Sequence, residues 1–330
     1  MLTATGGSMG KRVVRKLGWA LLAALLVLCA AFLAYHQFLA MVGHTPRAVA
    51  EINIAGRRVA MWKPAGAAPP EGYPLILFSH GFTGCGTQSV FLTEAWAQGG
   101  YFVLAPNHQD AGCGTGIAHE GALFAKLATT RSEEPFRKPE AWSEATYRNR
   151  GVDVEAILDA VLKERSFQGV PIDSRRIGLA GHSLGGYTVL ALAGAWPSWR
   201  DRRVKAVLGL SPYCAPFITK GDLGHLDVPV MYQGGTLDIG ITPYVRRPGG
   251  AYDLTSSPKY FVELQGAGHF AWTNLNKSYK GIINDYALAF FDRYLKRTIS
   301  HDPLSHLLDP PWPKDINHLK FALRREGRGG

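Results

Sequence analysis

Three short stretches hold residue types that can together activate a hydroxyl. Gly181-His182-Ser183-Leu184-Gly185 sets a serine between two glycines. Gly234-Gly235-Thr236-Leu237-Asp238 ends on a carboxylate, and Gly266-Ala267-Gly268-His269-Phe270 carries an imidazole. A serine hydroxyl is a poor nucleophile at neutral pH. It needs a histidine base within hydrogen-bond reach, and that histidine needs a carboxylate to fix its tautomer and stabilise its charged form. Ser183, Asp238 and His269 are the candidates for nucleophile, acid and base. Asp222 and Asp227 are rivals for the acid, but both precede a strand that the acid should follow; Asp253 is more distant. The ordinary alternatives are a turn aspartate for Asp238 and a structural or solvent-exposed histidine for His269.

The flanks of Ser183 carry more than the pentapeptide does. Arg176-Ile177-Gly178-Leu179-Ala180 reads as a short buried strand, and Gly186 to Ala195 as an apolar helix. A sharp strand-to-helix turn would lift the serine to the exposed end of a sheet, and glycines are needed where a side chain would clash. A developing oxyanion then needs two backbone N–H donors. Leu184, just after the serine, supplies one. The loop Ser79-His80-Gly81-Phe82-Thr83-Gly84 supplies the other, with Phe82 as donor. His80 reads as a hydrogen-bonding group behind that loop, with a second base as the alternative.

The elements that must position these residues follow from periodicity. Ile52–Ile54 and Arg58–Trp62 flank a turn and predict an opening hairpin. Leu75–Ser79 is a continuous apolar run, as in a strand covered on both faces. Tyr101–Ala105, Val204–Leu210, Val228–Gln233 and Tyr260–Leu264 read as further strands. Helices are predicted over Gln88–Gln98, Glu144–Arg165 and Ile282–Lys296, the second with Val152, Ile157, Leu158, Val161 and Leu162 on its apolar face. Alternating strands and helices give an α/β class with a parallel sheet covered on both sides. The catalytic unit is expected over 51–297, with a linker at 42–50. The polar, Gly-rich 109–142 is a possible lid or binding loop, with a short helix near Glu120 to Thr130. Residues 298–330 read as a tail.

The chain has 330 residues, 46% of them hydrophobic, enough for one large domain and an appendage. Lys11, Arg12, Arg15 and Lys16 form a basic flank over residues 1–16. After it the chain lacks Asp, Glu, Lys and Arg from Leu17 to Pro46. The apolar run from Leu17 to Ala34 approaches the roughly 20 residues that span a bilayer. Residues 17–41 are therefore expected to be a transmembrane anchor or a cleaved signal, placing the domain on the periplasmic or extracellular side. Net charge is +10, four of those charges in the flank and the rest scattered. No basic stripe interleaved with aromatics appears, which excludes a nucleic-acid partner. Cys85 and Cys113 lie in matching Gly-Cys-Gly-Thr contexts. They read as a disulfide in an exported domain or as two small buried thiols. Paired metal-ligand spacing is missing, so neither metal nor cofactor is expected.

With these residues in place, the chain resembles the α/β-hydrolase superfamily, in its dienelactone-hydrolase-like branch. That branch includes platelet-activating-factor acetylhydrolases, chlorophyllases and cutinase-like polyester hydrolases. The resemblance covers about residues 50 to 297. It rests on Ser79-His80-Gly81-Phe82, Gly181 to Gly186, the Asp238 loop and Gly266 to Phe270. It implies an eight-stranded, mostly parallel sheet, the roles given above for Ser183, Asp238, His269, Phe82 and Leu184, and a substrate contact for Phe82. Tyr213 resembles an aromatic that flanks substrate in cutinase-like enzymes; the alternative is an ordinary strand-end aromatic. A serine replaces the cysteine of dienelactone hydrolases proper. The Ser211–Phe217 loop holds no carboxylate where acetylhydrolases place the acid, and 109–142 is longer than the cutinase-like connection. The implied activity is carboxylic-ester hydrolysis of a small to medium or lipid-like ester. The alternatives are a peptidase or amidase, a cofactor-free haloperoxidase, or a non-catalytic binding protein on this fold. A prolyl-oligopeptidase type would need an added propeller, for which the chain is too short.

Overall fold

Side chains in the central strands point alternately to two apolar layers, and this sets the architecture. In β3 (Tyr73–Ser79), Leu75 and Leu77 join one core cluster while Ile76 and Phe78 join another. Residues of β7 (Val204–Leu210) divide the same way, Val207 to the first and Ala206 and Leu208 to the second. All are fully buried, as a sheet with two covered faces requires. Truncating a side chain such as Leu77 to Ala is expected to cost about 2–5 kcal/mol. The computed structural model describes residues 50–112, 134–256, 258–276, 278–296 and 302–323, together with Trp19, 23–30 and Phe32.

The remaining strands are β1 (Ala50–Ile54), β2 (Arg57–Trp62), β4 (Phe102–Pro106), β5 (Ser166–Phe167), β6 (Val170–His182), β8 (Val230–Gly235), β9 (Lys259–Leu264) and β10 (Ile316–Ala322). The sheet order is β1-β2-β4-β3-β6-β7-β8-β9-β10, with β5 paired to β6. The strands from β4 across to β9 run parallel, and antiparallel pairs close both edges. From β3 the chain first steps to β4 on one side and later to β6 on the other. The carboxyl ends of β3 and β6 thus flank the switch point, where an open α/β sheet leaves a crevice.

Helices α1 (Val90–Gln98) and α4 (Lys280–Leu295) cover one layer through Leu92, Trp96, Ile283, Tyr286 and Phe290. Helices α2 (Arg148–Val161) and α3 (Leu184–Leu190) cover the other. Helix α2 begins later than its pattern predicts because Tyr147 adopts φ +56°, outside the helical region. Its buried face is Arg150, Asp153, Val154, Ile157, Leu158 and Val161, and Val152 is exposed. The apolar side is therefore rotated from the one expected, and it begins with an ion.

Two further expectations are corrected. Among the described residues the sheet has ten strands where the resemblance implied eight. The segment expected to be a tail folds back as α5 (Pro303–Leu308), capped by the Asp302 side chain, and as β10, which pairs with β9. Leu304, Leu308, Ile316 and Leu319 bury against the α4 layer, which is what holds it. Of the expected 17–41 segment, only Trp19, 23–30 and Phe32 are described; 23–30 is helical. Among the described residues no helix is long and apolar enough to cross a membrane. The helix expected near Glu120 to Thr130 lies outside the described residues, as does Cys113. Cys85 is buried, with its sulfur 3.7 Å from Thr87 Oγ1.

Candidate active site

The loop after β6 forces the serine into a conformation that side chains rarely adopt. Ser183 has φ +54° and ψ −117°. Such a residue costs on the order of 1–3 kcal/mol and persists only where its surroundings over-determine it. Here they do. The Ser183 N–H donates to Leu210 O (3.1 Å), and the Ser183 carbonyl accepts from Tyr213 N (2.9 Å) and Tyr187 N (3.2 Å). The glycines around it are sterically required. A Cβ on Gly181 would lie 2.2 Å from Gly185 O, one on Gly185 1.9 Å from Ser79 O, and one on Gly186 2.3 Å from Pro212 Cβ.

Ser183, Asp238 and His269 come together at the carboxyl end of the sheet. His269 Nε2 is 3.0 Å from Ser183 Oγ, and His269 Nδ1 is 3.1 Å from Asp238 Oδ1. With Nδ1–H donating to the carboxylate, the Nε2 lone pair faces the serine hydroxyl. Asp238 is buried. Burial pushes its carboxyl pKa up. The hydrogen bond and charge of His269, with hydrogen bonds from Ser211 and Thr242, outweigh that and hold it below the usual carboxylate value. Asp222 and Asp227 are bound elsewhere, to His225 and Arg200.

Four supporting side chains were not singled out from the sequence. Ser211 Oγ donates to Asp238 Oδ2 and lies 2.8 Å from His269 Nδ1, and Thr242 Oγ1 donates to the same carboxylate oxygen at 2.8 Å. Gln88 accepts from Gly81 N (3.0 Å) and donates to His182 Nδ1 (3.0 Å). His182 Nε2–H then donates to the His269 carbonyl (2.9 Å). This chain ties the loop after β3 to the backbone of the histidine. Burial and then the nearby His269 push the His182 imidazole down to about 3, so it stays neutral in this role.

Phe82 and Leu184 flank Ser183 from the loop after β3 and from the start of α3. Among the described residues neither amide N–H has a protein acceptor, so both are available to an oxyanion. Tyr213 is not an open flanking aromatic. It is buried, and its hydroxyl donates to Phe136 O (2.8 Å). Phe136 sits in a helical turn, Glu134–Arg137, within the segment expected as a lid, and its ring packs 5.3 Å from Phe82 and 5.1 Å from Tyr213. His80 is fully buried, with Nδ1–H donating to Gly81 O (2.7 Å) and Nε2 accepting from His108 N (3.1 Å). It has no route to substrate. Among the described residues no cluster of three His, Cys, Asp or Glu side chains could hold a metal ion.

A family model described as PET hydrolase-like matches residues 143–304, and one described as platelet-activating factor acetylhydrolase, isoform II, matches residues 34–152. The sheet order with its switch point and these two matches agree on one assignment. The chain belongs to the α/β-hydrolase superfamily. The chain is 32% identical over 170 residues to Cutinase 2 of Thermobifida cellulosilytica, covering 51% of its own length and 58% of the relative's. It is equally similar to Cutinase cut1 of Thermobifida fusca, covering 48% of that protein. A platelet-activating factor acetylhydrolase of Cavia porcellus is 24% identical over 177 residues, 48% of this chain and 38% of the relative. The chain spans about half the length of the curated relatives it matches.

Proposed function

We propose that this chain is a serine carboxylic-ester hydrolase. The observation that carries the reading is the His269 ring, set 3.0 Å from Ser183 Oγ on one side and 3.1 Å from Asp238 on the other. In the first half-reaction, Ser183 Oγ attacks the ester carbonyl and its proton moves to His269 Nε2. The tetrahedral oxyanion is held by the Phe82 and Leu184 N–H groups. Collapse breaks the bond to the alcohol oxygen, which takes the proton from His269. Water then attacks the acyl-enzyme, with His269 again as base, releasing the acid and restoring Ser183. The names of the relatives, cutinases and an acetylhydrolase, agree with this chemistry.

The substrate is a small to medium ester with apolar groups. Leu237, Ile239 and Phe270 are exposed beside Asp238 and His269, and apolar surface at a site mouth favours apolar ligands. Phe136, bridged to Phe82 and Tyr213, fills ground next to the oxyanion loop that an extended polymer would need. Export by the apolar N-terminal segment, with the domain acting outside the cytoplasm, belongs to the same reading.

The test is hydrolysis of a p-nitrophenyl ester panel from acetate to decanoate by wild type and Ser183→Ala, with fluorophosphonate labelling. Turnover and labelling that both vanish in Ser183→Ala are expected. Labelling that survives the substitution would identify a different nucleophile. A labelled wild type with no turnover on any ester, against cleavage of an amide substrate, would favour the amidase alternative.

A further inference from the structure

A second, largely buried ionic cluster lies behind the loop after β3. Arg150, on the apolar stripe of α2, is fully buried. Its Nε and Nη2 donate to the two Asp110 oxygens at 2.9 and 3.1 Å. The same guanidinium reaches the loop itself, with Nη1 donating to His80 O (2.8 Å) and Nη2 to Gly81 O (3.1 Å). Behind it stands a relay with the atom pattern of the surface site: Ser79 Oγ to His108 Nε2 at 2.9 Å, and His108 Nδ1 to Asp153 Oδ2 at 2.9 Å. Ser79 has no exposed surface, so this relay cannot meet a substrate. Its His108 presents a backbone N–H to His80 Nε2, which leaves His80 Nδ1–H for the Gly81 carbonyl.

We propose that Arg150 is a positioning residue for the oxyanion-binding amide of Phe82. The inference rests on the ester-hydrolase reading above. A peptide unit is planar and trans, so the Gly81 carbonyl and the Phe82 N–H point in opposite directions. Three donors converge on the Gly81 carbonyl: Arg150 Nη2, His80 Nδ1 and Gly84 N (3.0 Å). Fixing that oxygen toward the protein interior aims the Phe82 N–H out over the elbow. The loop has little freedom there, since a Cβ on Gly81 would lie 3.1 Å from His182 Nδ1 and 3.4 Å from Ser183 Cβ. Packing alone does not call for an arginine at this position. Taking a guanidinium out of water costs several kcal/mol, and an apolar side chain of similar volume would fill the space more cheaply. What an apolar side chain cannot do is donate to two successive carbonyls while paired to Asp110. A lysine cannot either, because its ammonium lacks the planar fork.

The decisive measurement is the rate constant for phosphonylation of Ser183 by a fluorophosphonate, whose P=O oxygen uses the same donors. It is taken with kcat and KM on p-nitrophenyl butyrate and with Tm. Arg150→Lys and Arg150→Met are expected to slow labelling and kcat together, about 10- to 100-fold, with KM within about twofold. Losing a donor outright would cost about 10²–10³-fold. His80→Gln, which alters another donor to the Gly81 carbonyl, should slow labelling in the same sense. Arg176→Met is the control. Arg176 is a buried arginine that holds Gly72 O at 2.6 Å and pairs with Asp173, away from the elbow. It should lower Tm and leave labelling unchanged. If Arg150→Met does not fold, Arg150→Lys and His80→Gln decide. Arg150 variants that lose Tm but label and turn over at the wild-type rate overturn the inference and leave the site reading standing. A wild type that does not label overturns the site reading itself.

Discussion

The Ser211 hydroxyl donates to the Asp238 carboxylate from the end of the neighbouring strand. Its oxygen also sits 2.8 Å from His269 Nδ1, so it touches both partners of the proposed acid–base pair. Ser211 is held in the left-handed region at φ +44°, with its N–H donating to Gln233 O at 2.7 Å. A hydrogen bond to a charged group contributes about 1.5–3 kcal/mol. Ser211→Ala should therefore lower kcat about tenfold or somewhat more, with KM little changed, because Thr242 still holds the carboxylate. Asp238→Asn should cost on the order of 10⁴ in kcat, through the wrong imidazole tautomer. Adding Ser211→Asp to Asp238→Asn should restore part of that loss, since aspartate tolerates positive φ and would stand beside Nδ1. Steady-state kinetics on one activated ester measure all three; a double variant no faster than Asp238→Asn would show that position 211 cannot carry the charge.

The elbow glycines differ sharply from other loop glycines. A Cβ on Gly185 would lie 1.9 Å from the Ser79 carbonyl oxygen, a backbone atom with no room to move, whereas Gly240 has nothing within 4 Å. Gly185→Ala is expected to yield little soluble protein, and Gly240→Ala to melt within about 2 °C of wild type. Overpacking of this kind typically costs 1–3 kcal/mol or more. Soluble expression and a thermal melt distinguish them, and a Gly185→Ala protein with wild-type Tm would disprove the close approach.

The parts of this site that could be read from sequence are those punctuated by glycine. Ser183, Asp238 and His269 each follow an apolar run and a Gly-rich turn, so their strand-end placement is legible in the sequence. Ser211 and Gln88 carry no such mark, because a lone hydroxyl or amide near a strand end or before a helix looks like any turn residue. Arg150 left a signal that composition obscures: 150, 153, 154, 157, 158 and 161 follow helical spacing, and the first two are charged. Strand β10 was hidden for a different reason. A register shift between Ile316 and His318 breaks the two-residue alternation, and its surroundings are rich in proline and arginine.

Acid should unfold this protein earlier than its carboxylates alone would require. Burial lowers the His80, His108 and His182 pKa values, helped by Arg150 for the first two and by His269 for the third. His108 is pushed down to about 4 and His182 to about 3. Below about pH 6.5 the unfolded chain therefore binds protons that the folded chain does not. Stability from these groups is complete above that pH and falls as pH drops toward the folded values, by up to about 1.4 kcal/mol per pH unit for each histidine. For Asp110, burial raises the pKa, but Arg150 outweighs it and the value ends well below normal. Asp153 and Asp238 are also lowered. The stability these three provide is present above about pH 4 and lost only below it. Urea unfolding at pH 7, 6 and 5 should show a steady decline, and His182→Gln a shallower one. Constant stability across that range would contradict the neutral buried histidines.

Phe136 should set the acyl or alcohol length the site accepts. Its ring contacts Phe82 at 5.3 Å, Tyr213 at 5.1 Å and Trp142 at 5.5 Å, and its carbonyl is tied to the Tyr213 hydroxyl. The segment is thus fastened at two points beside the proposed oxyanion donor. One methylene more or less in an apolar pocket is worth about 1–3 kcal/mol of discrimination. Removing a whole ring should therefore move selectivity visibly. Phe136→Ala is expected to raise the ratio of kcat/KM for p-nitrophenyl decanoate over acetate by about tenfold or more. Tyr213→Phe, which releases only the carbonyl tie, should shift the ratio the same way by less. Both variants keep Ser183, so fluorophosphonate labelling near the wild-type rate should accompany the change. Unchanged ratios in both would mean that chain length is read elsewhere and that the aromatic bridge serves packing alone.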